Sequence, residues 1–517
     1  MLFVVLPTIV EPAAGMSDAG PMNLAVLAVV ALLTWRWWTL DYDVTHPRRR
    51  QVLARAALVV SAAAGVLYLP ALLCWLAIAC RYFDGWQHHA MMPIRLVKAS
   101  LAWCATGLLI GAAHAWTAVT VTTSPDAIVM LLGCVALSHY VKPAWSKARL
   151  GKHCWDWAWH NRTHYLAGSA YAWGWARFVP ARSARRVLVV LARLDRPMNI
   201  ATMLVESAGL IAFLDPRLLI ACLVATAGFN LVIALASGIF FWENIAANLL
   251  LAAALIHADL PATPLFGVAG AATAAVIVLL ACADMVWQPF HLGWWDAPFT
   301  ARVHWEVETT NGRSYGLYND FMCPYEREYG RVHGYFLTDE PVLHGHLGIV
   351  WDRDLRDHIA ASGGDATTMR ELKHRYGHVQ ADAQQVEDHT RYLTSMFTAL
   401  NHGAHKSPLP RRLRWLKAPG GQLFHWGDLP RYRGREPVQR IVIRYQERFH
   451  HPHTHRLEVL TDVVLHELEI PPPQVPPMKK EKYAPSPHRL RRQSRRHPED
   501  VHRPTPGSRL LRVRTQR

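Results

Sequence analysis

The residues best suited to chemistry lie between Ser138 and Trp159, where basic side chains alternate with indoles. A lysine that is partly removed from water loses stabilisation of its charged form, so its amine becomes available as a base. The same composition is typical of a membrane-interface anchor, because indoles prefer the boundary between bilayer and water and lysine stems can reach it. Composition leaves both interpretations open. The basic and aromatic members of the stretch are Lys142, Lys147, Arg149, Lys152, His153, Trp145, Trp155, Trp157 and Trp159.

Charged and amide side chains also interrupt apolar runs elsewhere in the first half of the chain. A charge at the bilayer centre costs about 2.5–3.5 kcal/mol, so we expect Glu206 and Glu243 to face a bundle interior, pair with a cation or be protonated. Arg36 lies near a helix end, where its long side chain is expected to snorkel to water. A structural role, in which these groups cross-link helices, is equally compatible with the sequence. The amides in the same runs are Asn230, Asn244 and Asn248.

Closely spaced histidines in the sequence HHPHTH form a further group of possible ligands. Imidazoles can bind a metal ion, but these lack a regular helical spacing and no carboxylate is placed to orient their rings. We therefore interpret the stretch as an exposed polar turn and predict no metal site. The 8 cysteines contain no C-x-x-C pair and lie mostly in apolar runs, which argues against a disulfide framework. The four histidines are His450, His451, His453 and His455.

The elements that must position these residues are helices up to about Gln288. A helix of about 20 apolar residues spans a hydrocarbon core of about 30 Å. Four runs have about that length: Met22–Leu40, Ala56–Cys80, Leu96–Val119 and Pro264–Trp287. Three runs are shorter: Ile200–Leu214, Arg217–Ala236 and Phe241–His257. Two more, Asp126–Val141 and Tyr165–Val179, are also compatible with re-entrant segments, so the sequence predicts about nine spans in total.

Alternating patterns replace the long apolar runs after Gln288. Ala301–Thr309 reads as a strand, Asn311–Gly312 as a hairpin turn and Ser314–Tyr318 as the returning strand. Ala381–Leu400 has helical spacing, and a second long hairpin is expected over Gln439–Phe449 and Arg456–Ile470. The predicted fold is an α-helical multi-pass membrane bundle of about nine helices, then a β-rich mixed soluble domain, then a disordered basic tail. The predicted boundaries are 1–21 for an N-terminal segment, 22–288 for the membrane domain, 289–470 for the soluble domain and 471–517 for the tail.

The net charge of +16 comes mainly from short juxtamembrane clusters and from the tail. Basic clusters beside membrane segments tend to lie on the cytoplasmic side and are attracted to anionic lipid. We therefore expect the bilayer and anionic lipid as partners, and no nucleic acid. Pro47–Arg50 and the arginines of Arg182–Pro197 are expected to be cytoplasmic. Both assignments hold only if Tyr165–Val179 crosses the membrane. That crossing would also place the soluble domain inside the cell.

The order of several motifs is similar to that of a known family. A membrane segment ends in Tyr140-Val-Lys-Pro-Ala-Trp-Ser-Lys147, and an acidic helix carrying Glu206 follows. Asp215–Arg217, Ala236–Trp242 and the hairpin at Asn311-Gly312-Arg313 come next. In this order the chain resembles the HTTM superfamily, the bacterial membrane proteins related to vitamin K-dependent gamma-carboxylase.

The resemblance implies a membrane enzyme, a lyase of the carboxylase or quinol-oxygenase type in a bacterial inner membrane. Its lysine deprotonates a reduced quinone, whose oxygenated form abstracts a glutamate proton so that CO2 can add. Lys147 is the corresponding base, assisted by a histidine that is either His88 or His89. A peptide or small molecule is the expected substrate. The residues expected around the quinone are Lys142, Trp145, Tyr140, Glu206 and Asn230.

One departure from the family pattern and two other interpretations leave the function open. Pro143 is expected to break the helix just before Lys147, which would weaken packing of a ring against the backbone. A non-enzymatic membrane scaffold or small-molecule permease is the second interpretation, with Glu206 and Glu243 serving helix association or a proton path. A lipid-modifying transferase with its site at the membrane interface is the third.

Overall fold

Helices form the first part of the chain, and strands with further helices form the second. A computed structural model describes residues 20–83, 90–117, 125–258, 265–318, 321–322, 334–343, 346–421, 423 and 428–472. The helices of the first part are α1 Gly20–Thr39, α2 Arg48–Leu67, α3 Leu72–Tyr82, α4 Met91–Thr117, α5 Pro125–Ala148, α6 Asp156–His160, α7 His164–Ala172, α8 Ala181–Ser207, α9 Pro216–Ser237, α10 Trp242–His257 and α11 Val268–Cys282.

Apolar helices of membrane-spanning length occur in the first part, as the sequence predicts. Within the described ranges, 4 helices are long and apolar enough to cross a bilayer: Gly20–Thr39, Arg48–Leu67, Asp126–Ala148 and Pro216–Ser237. The chain is therefore a helical protein with membrane-length apolar helices, followed by a strand-containing region. The count of about nine spans is not confirmed.

Two helices that contain or adjoin a proline differ from their predictions. The predicted span Ala56–Cys80 is divided, because the chain leaves α2 at Tyr68 and makes a short 3-10 turn through Pro70 before α3 begins. Pro143, in contrast, does not break α5, which continues to Ala148. A proline inside a helix is tolerated where neighbouring helices pack around it, and most of this helix is buried. The expectation of a break before Lys147 is wrong.

Two other predicted segments have different lengths. Tyr165–Val179 contains only α7, whose 9 residues extend about 14 Å and are too short to cross a bilayer. The topology that depended on this crossing therefore loses its premise. The predicted linker Arg182–Pro197 is helical and forms most of α8, which has 27 residues and includes the start of the predicted span Ile200–Leu214.

The strands of the second part form two antiparallel sheets, and both predicted hairpins are confirmed. A 4-stranded sheet has the order β3-β2-β5-β6, and a small sheet pairs β1 with β4. Gly312 adopts a φ of 77° at the first hairpin turn, which a glycine adopts without strain. The strands are β1 Trp295–Asp296, β2 Phe299–Thr309, β3 Ser314–Gly316, β4 Ile349–Val350, β5 Val438–His450 and β6 Leu457–Glu469, and the helices are α12 Arg353–Ala361, α13 Ala366–Tyr376 and α14 Ala383–Asn401.

The hydrophobic core around the sheet includes residues from the helical part. Trp157 from α6 and Met203 from α8 pack in the same buried cluster as Trp295 and Phe299. Trp157 also donates a hydrogen bond from Nε1 to the carbonyl of Trp294 at 2.7 Å. Residues of the helical part therefore complete the core of the strand-containing region.

Candidate functional site

Helix α8 carries a row of buried polar residues on one face. Asp195, Asn199 and Glu206 are buried together with Met203, and these four positions recur every three or four residues. Residues with this spacing lie above one another on the same side of a helix. This row of polar side chains therefore extends along α8. Its Glu206 end lies among the other helices of the first part, and its Asp195 end lies nearer the sheet.

At one end of the row, Glu206 forms an ion pair with Lys147. The Lys147 Nζ lies 2.6 Å from Oε1 and 2.8 Å from Oε2 of Glu206, and both side chains are buried. The ammonium also lies 5.2 Å from the centre of the Trp157 ring, a distance at which a cation is attracted to the π system. Lys147 is therefore withdrawn from water, as one interpretation of the sequence requires.

The other basic residues of the stretch do not surround Lys147. Arg149 and Lys152 are exposed and therefore lie in contact with water. Lys142 is buried but donates to the Cys282 carbonyl and to Asp284 Oδ2, the latter at 2.8 Å. The charge beside Lys147 is thus an anion, and Lys142 belongs to a separate ion pair.

The residues predicted to bind a quinone do not converge on one cavity. Tyr140 accepts hydrogen bonds at its hydroxyl from Asn230 at 2.6 Å and from Asn248 at 2.7 Å. Trp145 is 41% exposed, which separates it from these buried amides. Glu206 is occupied by Lys147, so the polar atoms of the predicted set bond to other protein groups. The two histidines predicted to assist, His88 and His89, lie outside the described residues.

The middle of the row is connected to the sheet by amides. Asn199 donates to the carbonyl of Asn161 at 3.0 Å and accepts a hydrogen bond from the Thr163 hydroxyl. Asn161 in turn donates to Asp296 Oδ2 at 2.7 Å and accepts from the Asp296 backbone N–H at 2.8 Å. Burial raises the pKa of Asp296 to about 7, despite the hydrogen bonds from Asn161 and Trp294 that lower it.

The other end of the row reaches a group of histidines. Asp195 Oδ2 lies 2.7 Å from Nδ1 of His164, the first residue of α7. The His164 ring faces His450 and His455, with ring centres 5.6 and 5.7 Å away. Burial lowers the pKa of His450 to about 3 and also lowers that of His455. The interpretation of HHPHTH as a wholly exposed turn is therefore wrong at His450, which is 2% exposed.

A second buried ion pair lies away from this row. Arg36 of α1 pairs with Glu243 of α10, and both side chains are buried. Arg36 does not snorkel to water, because the carboxylate inside the bundle neutralises it. Of the three alternatives expected for Glu206 and Glu243, the structure shows pairing with a cation at both positions.

Comparisons with known proteins were made at three levels. No family model, no curated protein and no solved structure matches the chain. The similarity to the HTTM superfamily therefore stays a prediction from the motifs around Lys147 and Glu206.

Sequence reasoning missed the residues that extend the site beyond Lys147 and Glu206. Asp195 lies in the predicted basic linker Arg182–Pro197 and Asn199 lies just after it, so the sequence prediction does not place either residue on one helix face with Glu206. The signal is present in the sequence, because an aspartate, an asparagine and a glutamate recur there at helical spacing. The contact between His164 and the HHPHTH turn has no such signal, since it joins residues that are almost 300 positions apart in the sequence.

Proposed function

We propose that the chain is an integral membrane enzyme in which Lys147, paired with Glu206, accepts a proton from an apolar substrate at the edge of the bilayer. The supporting observation is that this ion pair is buried at the end of a helix of membrane-spanning length. Burial keeps bulk water from the amine, and the two contacts with the carboxylate fix its position.

The pair also offers a route to a neutral amine. When the ammonium proton moves onto the carboxylate, both groups become neutral and the net charge of the site is unchanged. The Lys147 amine can then act as a general base, which typically contributes about 10²–10⁴-fold to a rate.

A reduced quinone is the cofactor that the resemblance implies, and it would arrive from the bilayer. The residues predicted to hold it do not line one cavity among those described, because Tyr140, Lys142 and Glu206 already bond to protein groups. The quinone therefore enters the proposal only through the resemblance, as the compound used to test it, and no described residue is assigned to bind it.

The proposal is tested with purified full-length protein in detergent. The protein is incubated with a reduced quinone, oxygen, labelled bicarbonate and a glutamate-containing peptide, and epoxide and incorporated label are measured. We expect both products with the wild type and a rate at least about 100-fold lower for Lys147→Ala, because the base is removed. Glu206→Gln is expected to lower the rate as well, since the amide cannot take the lysine proton.

Lys152→Ala is the matched control, because Lys152 belongs to the same basic stretch but is exposed. It is expected to keep the wild-type rate. The absence of both products with the wild type, or an unchanged rate for Lys147→Ala, would overturn the proposal.

A non-enzymatic scaffold or permease is the second candidate, and the Arg36–Glu243 pair favours it. Two buried ion pairs that join different helices are compatible with a purely structural role. A buried pair can often be exchanged for apolar residues of similar volume without loss of stability. If the role is structural, Lys147→Met combined with Glu206→Leu keeps assembly and transport intact, whereas an enzyme that depends on the amine becomes inactive.

A further inference from the structure

Three histidines meet where α7 packs against the turn between β5 and β6. His164 begins α7, His450 ends β5, and His455 lies in the turn that follows. One ring nitrogen from each histidine lies within 4.8 Å of the other two. His164 and His450 are buried and His455 is partly buried, so a ligand between them would be largely shielded from water.

Asp195 orients the first of these rings. Its Oδ2 lies 2.7 Å from Nδ1 of His164, and its Oδ1 accepts a hydrogen bond from the His164 backbone N–H at 2.9 Å. A carboxylate that binds one ring nitrogen selects the tautomer whose other nitrogen keeps a lone pair, an arrangement found in histidine–metal sites. Nε2 is therefore the nitrogen of His164 that remains available to a ligand.

The other two rings are already close to a shared-ligand arrangement. Nδ1 of His455 lies 3.2 Å from Nε2 of His450. Two nitrogens bound to one tetrahedral zinc ion at about 2.0–2.1 Å each would be separated by about 3.3 Å. Only the hydrogen between them would have to leave for both lone pairs to face one cation.

Two locally unfavourable features, one of the backbone and one of a side chain, occur at these histidines. His455 has a φ of 49°, in the left-handed region that residues other than glycine seldom adopt. Nδ1 of His450 is buried and has no hydrogen-bond partner within the described ranges, which is unfavourable for a polar atom. A Cβ at Gly168 would lie 3.0 Å from that Nδ1, so glycine allows the ring to approach α7. Strained and unsatisfied groups cluster at functional sites because the surrounding structure holds them there.

We propose that His164, His450 and His455 bind a zinc ion, with Asp195 orienting His164 and a fourth coordination position left for water or a small ligand. Three imidazoles with an open position are a donor set of catalytic zinc sites, whereas structural sites use four protein ligands. A zinc ion in such a site lowers the pKa of a bound water molecule toward neutrality and so supplies a hydroxide nucleophile. This site does not involve Lys147, so each proposal can fail without the other.

The metal content of full-length protein tests the proposal. The protein is purified in detergent with an affinity tag that contains no histidine, incubated with zinc, dialysed and analysed by mass spectrometry. We expect about one zinc per chain for the wild type and less than a tenth of that for His450→Gln, because one ligand is lost. Asp195→Asn is expected to weaken zinc binding about 10–100-fold in a competition with a chelator. Cobalt bound in place of zinc should give visible absorption bands typical of a four- or five-coordinate ion.

His453→Gln is the matched control, because His453 lies in the same turn but is exposed. It should bind zinc as the wild type does. Zinc should also raise the thermal unfolding midpoint of the wild type and of His453→Gln but not that of His450→Gln, which separates loss of a ligand from misfolding. The proposal is overturned if the wild type keeps less than a tenth of an equivalent of zinc, or if His453→Gln loses as much zinc as His450→Gln.

Discussion

At the scale of single residues, the buried charges differ in how they are stabilised. Lys147, Lys142 and Arg36 each contact a carboxylate. Asp296 has no such cation among its described hydrogen-bond partners, which are the Asn161 amide and the Trp294 indole. A buried carboxyl without a cation favours its neutral form, which is why the pKa of Asp296 rises to about 7.

This raised pKa predicts that folding stability depends on pH. The unfolded carboxyl titrates near 3.8 and the folded one near 7, so the folded state binds more protons between these values. The contribution of Asp296 to the free energy of unfolding is therefore fully present below about pH 4 and is lost as the pH rises through about 7. We expect Asp296→Asn to flatten the fall of the thermal unfolding midpoint between pH 4 and pH 7.

Asp339→Asn provides the comparison for this prediction, since it removes an exposed carboxyl from the same domain. Its unfolding midpoint should follow the wild-type pH dependence. An identical pH dependence for Asp296→Asn and the wild type would show that Asp296 is ionised in the folded protein throughout this range.

At the scale of elements, single buried ion pairs join helices that are distant in the sequence. Lys147 and Glu206 connect α5 to α8, and Arg36 and Glu243 connect α1 to α10. The desolvation cost of such a pair is compensated only while both partners are present. Each pair therefore stabilises one specific arrangement of two helices.

The pair between α1 and α10 gives a prediction about stability. Removing one partner by Arg36→Met or by Glu243→Gln leaves a charge or a polar group buried without its partner, and each is expected to cost about 3–5 kcal/mol. The double variant should be less destabilised than the sum of the single variants. Denaturant titration in detergent measures all three free energies, and additive effects would contradict the coupling of Arg36 with Glu243.

At the scale of the whole molecule, the two parts of the chain form one folded unit. The described residues up to Pro472 belong to a single compact unit. Trp157 and Met203 lie in the core cluster of the sheet, and Arg302 of β2 donates to the Ala172 carbonyl at 3.0 Å. The strand-containing region therefore depends on helices α6 to α8 for part of its core.

This shared core predicts the behaviour of a truncated chain. A chain that ends at Gln288 exposes Trp157 and Met203 and leaves the Asn161 side chain without Asp296. We expect this chain to accumulate at a lower level in membranes and to be cut by protease within α6 to α8. The full-length chain should resist cleavage there and should unfold in one transition. Equal protease resistance of both chains would contradict a shared core.

The sequence by itself determined the features that depend on local patterns. The first helix, the turn at Asn311–Gly312 and the long hairpin that begins near Gln439 are set by hydropathy, glycine and alternation over neighbouring residues. The withdrawal of Lys147 from water was one of two interpretations that composition left open.

Only the tertiary structure decided which groups meet. Glu206 lies 59 residues from Lys147, and His164 of α7 is far in the sequence from His450 of β5. Whether Pro143 breaks its helix likewise depends on the helices that pack around it, because they can compensate for the missing hydrogen bond. Long-range packing sets these contacts, and a pattern read along one segment contains no information about the segment that will lie against it.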